Sequence, residues 1–128
     1  MISAWQASTA AALFLSPAGT PLPEQRQLLA WSLAKVRAEG LRLPNFTVRW
    51  KSGAHDCCAG AVRVEGDVCT LALSIHRPPH EFVRTCFHEC QHLADIRAGY
   101  HCTLSHSELE ERAERFALTA MEKWWWKQ

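Results

Sequence analysis

Between residues 79 and 98 the apolar positions Phe82, Val83, Cys86, Phe87, Cys90, Leu93 and Ala94 gather on one arc when projected at about 100° per residue. Pro78 and Pro79 suit a first helical turn, where a missing N–H costs little, and Gly99 supplies a stop. The pattern therefore predicts a helix from about Pro79 to Ala98. A shorter stretch, 24–39, repeats the logic with Leu29, Leu33 and Val36 on one face and Gly40 after its end. The period then changes. "NFTVRW" (45–50) alternates and is rich in β-branched and aromatic residues, which predicts a strand. "SGAHDCCAG" (52–60) reads as a loop, and "AVRVEGDVCTLALSI" (61–75) as a hairpin turning near Glu65-Gly66-Asp67. The half from Val68 to Ile75 is largely apolar, as expected of a strand that is central or well covered.

A last helix begins near Ser105 or Ser107, because Ser105 with Glu108 and Ser107 with Glu110 both have capping-box spacing. It runs through "ELEERAERFALTAMEKWW", with Leu109, Ala113, Phe116, Ala120 and Trp124 along one stripe. "SPAGTPLPEQ" (16–25) separates an N-terminal segment from the rest. The order helix, strands, helix, helix predicts an α+β fold. A length of 128 residues suits a single domain with one modest core, here about 24–121.

Composition narrows the partners. A formal net charge of +1 gives no field that would select nucleic acid. "MISAWQASTAAALFLSPAG" lacks a basic n-region and is interrupted by Ser, Gln and Thr, so neither a signal peptide nor stable membrane insertion is expected. Six cysteines without a CxxC pair predict a cytoplasmic protein with reduced thiols. Cys86 and Cys90 lie on the apolar arc and read as core. Cys57 and Cys58, beside His55 and Asp56, read as thiols in a loop. Cys102 is a weaker candidate for a thiolate ligand. Three consecutive tryptophans, Trp124, Trp125 and Trp126, point in different directions on a helix. They are open to self-association, to partner binding, or to packing against the N-terminal segment with Trp5 and Phe14, which is the favoured reading.

The chemistry concentrates in "HECQH". His88 and His92 stand four apart and share one face of the helix opposite the apolar arc, so both imidazoles can reach one ion. Glu89 projects from the flank between them, as a base acting on a metal-held water requires. A wet helix face that happens to carry two histidines is the bland alternative. A zinc site of this kind needs a third protein ligand and an open fourth position. Asp95, on the His88 face, is one candidate, and His101, just past Gly99, is another. The third is Glu110, with Glu114 one turn on. A carboxylate ligand followed by a second carboxylate at i+4 offers one metal-binding oxygen and one group to orient a histidine N–H.

HExxH followed by Glu110-Glu111-Arg112-Ala113-Glu114-Arg115-Phe116-Ala117 resembles the gluzincin metallopeptidases, most closely the small ImmA/IrrE-type domain, over about residues 61–121. The resemblance implies a zincin-like fold: a small mixed sheet with an N-terminal helix, an HExxH helix and a C-terminal helix bearing the glutamate. It implies zinc held by His88, His92 and Glu110, with Glu89 as general base and Glu114 behind the ligands. Asp95 would be a further supporting carboxylate. Tyr100, His101 and His106 lie between the last two helices and are the candidates for stabilising the oxyanion, with Tyr100 carried as the catalytic residue. A protein or peptide substrate would lie as an extended strand against the 61–75 hairpin. The expected activity is hydrolysis of a peptide bond through a metal-bound water. The alternative is a non-proteolytic, metal-stabilised interaction module.

Overall fold

The computed structural model describes residues 23–51, 59–75 and 77–127. Among them are three helices and one three-stranded mixed sheet. Helix α1 spans Pro23–Ala38, with Glu24 in its first turn and Lys35 and Arg37 in its last, matching the helix dipole at both ends. Strands β1 (Phe46–Lys51), β2 (Gly60–Glu65) and β3 (Val68–Ser74) follow, then α2 (Pro79–Arg97) and α3 (His106–Ala120).

The apolar half of the hairpin is central, in the strand order β1-β3-β2, with β1 parallel and β2 antiparallel to β3. The hairpin turns at Gly66-Asp67, where Gly66 takes φ 61, a left-handed conformation that favours glycine. Gly60 begins β2 and is not part of the preceding loop. Residues 1–22 and 52–58, with Trp5, Phe14, His55, Asp56, Cys57 and Cys58, lie outside the described residues.

Helix α2 is the spine. Phe82, Val83, Cys86, Phe87, Cys90 and Leu93 are each at most 1% exposed, so the arc read from the sequence is the buried face. It packs on Leu29, Leu33 and Val36 of α1 and on Phe46, Val48, Trp50, Leu71 and Leu73 of the sheet. Burying side chains of this size contributes about 1.5–3 kcal/mol each before the entropy of ordering them is subtracted. Helix α2 ends at Gly99, which takes φ 83.

Of the two possible starts for α3, Ser105 is the one used. Its hydroxyl accepts from the Glu108 N–H, and the Glu108 side chain accepts from the Ser105 N–H. The last helix stops being α-helical at Ala120 and continues as a wider π turn, Met121–Trp125. That turn swings Trp124 onto Phe87 and Trp125 onto Trp31, with ring centroids 5.4 and 6.0 Å apart. Trp126 is 62% exposed, beside His80. No helix among the described residues is long and apolar enough to cross a membrane.

Candidate metal centre

Because α2 buries one face, it turns His88 and His92 outward together. Their ring centroids are 4.9 Å apart and the planes meet at 73°. Helix α3 packs across that face and brings Glu110 between them. Glu110 Oε2 lies 3.1 Å from His88 Nε2, and Oε1 lies 2.9 Å from His92 Nε2. One turn later Glu114 Oε2 stands 3.3 Å from His88 Nδ1, while its other oxygen accepts from Arg84 of α2.

His88 thus meets a carboxylate at each ring nitrogen. A neutral imidazole carries one N–H and can donate to only one of them. Burial and the neighbouring His92 lower its pKa, partly offset by Glu110, so a second proton is disfavoured. If Nδ1–H donates to Glu114, the Nε2 lone pair faces the lone pairs of Glu110. A cation shared by the three groups resolves that contact.

The donor atoms are spaced for one. His88, His92 and Glu110 each offer a ligand atom, all within 4.8 Å of one another. A tetrahedral ion with bonds of about 2.0–2.2 Å wants donors roughly 3.3–3.5 Å apart, so small side-chain adjustments suffice. Two imidazoles and one carboxylate form a donor set suited to zinc, with a coordination position left over. No other group of three such donors occurs among the described residues.

Glu89 is buried beside this set at 5% exposure, and its Oε2 has no hydrogen-bond partner among the described residues. Burial first, and then the charge of Glu110, push its carboxyl up to about 8, against a weaker opposing pull from Lys51. Gly60 makes this location possible. A Cβ there would lie 2.6 Å from Thr85 Cγ2 and 3.2 Å from Glu89 Cγ, so only glycine lets β2 approach α2 so closely.

Two residues expected at the site serve elsewhere. The Asp95 carboxylate, 2% exposed, accepts from Gln91 Nε2 at 2.8 Å and from Arg112 Nε and Nη2 at 3.1 and 2.8 Å. Its oxygens are committed to a bidentate pair that ties α2 to α3, not to a histidine or a metal. Tyr100 lies over that same Arg112, 5.0 Å from ring centroid to guanidinium, and lines a different cavity with Arg42 and Asp95. His101 and His106, and not Tyr100, line the cavity that contains His92 and Glu110.

Cys102 is exposed and lies outside the donor group. Cys86 and Cys90 are fully buried thiols; burial holds Cys86 well above its ordinary value and pushes Cys90 up to about 12, so both behave as small apolar side chains. Sequence reading missed Arg84, Arg112 and the close approach at Gly60. A glycine opening a strand was the only local signal for any of these.

The chain matches no family model, no curated protein and no solved structure.

Proposed function

We propose that this protein is a zinc-dependent metallopeptidase of small gluzincin type, with a zincin-like fold. The observation that carries the reading is Glu89: a buried carboxyl with one oxygen unpartnered among the described residues, next to three convergent donors and open to a cleft. A metal that merely staples a fold needs no such neighbour and has its positions filled. For this reason we prefer the hydrolase over a metal-stabilised interaction module.

His88, His92 and Glu110 would hold the ion. When bound, zinc supplies Lewis acidity, polarising a carbonyl and acidifying a water. Glu114 fixes the His88 ring through Nδ1, and Arg84 fixes Glu114 in turn. The charge of a cation held beside it would draw the Glu89 carboxyl back down from about 8. So ionised, Glu89 would take a proton from the attacking water at Oε2 and return it to the leaving amine. His101 or His106 donates to the developing oxyanion. The buried setting of Glu89 strengthens each of these charge interactions over its value in water.

Incubating the zinc-loaded protein with a mixed peptide pool and reading new termini by mass spectrometry tests the reading. Wild type should generate termini, and Glu89→Gln should lower their rate by about 10²–10⁴ while keeping its zinc. Equal cleavage by Glu89→Gln, or none by zinc-loaded wild type, would remove the peptidase reading.

A further inference from the structure

A second concavity, of about 310 Å³, lies where the segment after α1, the end of α2 and the first half of α3 converge. It shares no lining residue with the cavities beside the metal centre. Its charged lining consists of Arg42, Arg97, Arg112 and Asp95.

The one carboxylate is already engaged within the fold. Asp95 is 2% exposed, and its oxygens accept from Gln91 and from Nε and Nη2 of Arg112. The nearest other acids along the chain are held elsewhere: Glu39 pairs with Lys123, and Glu108 accepts from the Ser105 N–H. Neither lines the cavity. Three guanidinium groups thus stand against a single carboxylate, an excess of two positive charges. The helix ends absorb little of it. The C-terminus of α1 already has Lys35 and Arg37 in its last turn, and the end of α2 carries only about half a negative charge.

The donors are also free. Arg42 and Arg97 are exposed, and neither has a hydrogen-bond or ion-pair partner among the described residues. Arg112 is half used. A guanidinium has five N–H groups; Asp95 takes the edge formed by Nε and Nη2, and Tyr100 covers a face, 5.0 Å from ring centroid to guanidinium. Its other edge, Nη1 beside the second Nη2 hydrogen, has no partner among the described residues. Such an edge donates two parallel hydrogen bonds to two oxygens of one anion.

Charge and oxygen count then select the ligand. A lone carboxylate carries one charge and two oxygens, too few for three guanidinium groups. A phosphate group carries about −1.5 to −2 at pH 7 and at least three acceptor oxygens, which matches both the excess charge and the number of forks.

We infer that this cavity binds a phosphate group, held by Arg42, Arg97 and the free edge of Arg112. The site stands apart from the proposed hydrolysis and does not depend on it. Its ligand is either inorganic phosphate or the phosphate of a small monoester. Because the three arginines belong to the segment after α1, to α2 and to α3, the bound anion ties those elements together.

The test is isothermal titration of the 128-residue chain with inorganic phosphate, the ionic strength being fixed with sodium chloride. One saturable site with a Kd below about 10 mM is expected, and none for acetate. Arg42→Gln and Arg97→Gln should each weaken phosphate binding about tenfold, as loss of hydrogen bonds to a charged group does. Both side chains are exposed, so neither variant should move the Tm measured without phosphate. Glycerol 3-phosphate that binds as tightly as inorganic phosphate would assign the cavity to a monoester; its exclusion would assign it to the free ion. No saturation by about 10 mM, equal binding of acetate, or wild-type affinity in both arginine variants would overturn the inference. So would binding abolished by a chelator, which would place the phosphate on a metal. Because the arginines are remote from the donor set in these cavities, failure here leaves the peptidase reading untouched, and a failed cleavage assay leaves this site standing.

Discussion

His88 is the residue on which the site turns, because each of its ring nitrogens faces a different carboxylate. In the proposed site Glu110 is a donor and Glu114 an orienting partner, so their truncations should differ in kind. Glu114→Ala should weaken zinc affinity about 10–100-fold, as loss of an outer hydrogen bond to a ligating histidine does. Glu110→Ala should abolish tight binding. Competition with a chromophoric chelator reads both, and equal losses would contradict the division of roles. Glu89→Gln should leave that affinity within a few-fold of wild type, because Glu89 is outside the donor group. Much of this was legible in the sequence. The i,i+4 spacing of His88 with His92, and of Glu110 with Glu114, places each pair on one helix face whatever the fold. For Asp95, periodicity gives the direction of the side chain but not the partner waiting there. Arg112, seventeen positions away along the chain, takes both of its oxygens.

At the scale of elements, the site depends on how α3 crosses α2, and the Asp95–Arg112 pair sets that crossing two residues from Glu110. Arg112→Met should leave a buried carboxylate without its main partner. The cost should be about 2–3 kcal/mol by urea unfolding, less than for a fully buried pair because the Arg112 side chain is 42% exposed. The same variant should bind zinc more weakly, since Glu110 rides on the helix that has lost its anchor. A stability change below about 0.5 kcal/mol would show the pair to be an ordinary surface contact. Helix limits, the hairpin and the choice of β3 as central strand followed from period, capping residues and apolar content. The parallel pairing of β1 with β3 did not, because period reports which face is buried and not which neighbour a strand takes. The wide turn after Ala120 escaped for a similar reason. It is a response to packing, bringing Trp124 and Trp125 onto Phe87 and Trp31.

Over the whole molecule, a single core holds α2 between α1, α3 and the sheet, and the donor set lies on the face left over. Metal binding should therefore feed directly into global stability, since His88 and His92 meet Glu110 only when α2 and α3 are docked. Zinc at a hundred times its Kd should stabilise the fold by about 2.7 kcal/mol, seen as a higher Tm that a chelator reverses. An unchanged Tm would mean that the histidine face is not a metal site. The aromatic cluster of Trp31, Phe87, Trp124 and Trp125 ties α1 and α2 to the turn after Ala120. The tryptophans were expected against Trp5 and Phe14, but Trp31 and Phe87 are the partners among the described residues. Nothing in the spacing of "KWWWK" distinguishes those surfaces, because consecutive residues on a helix point in three directions.

The account stands or falls on zinc content per chain, measured by elemental analysis of wild type beside Glu110→Ala and Asp95→Asn. About one zinc in wild type and in Asp95→Asn, with none in Glu110→Ala, is the predicted result. Zinc retained by Glu110→Ala and lost by Asp95→Asn would contradict the ligand set, and a wild type that takes up no zinc after reconstitution would contradict the metal centre itself.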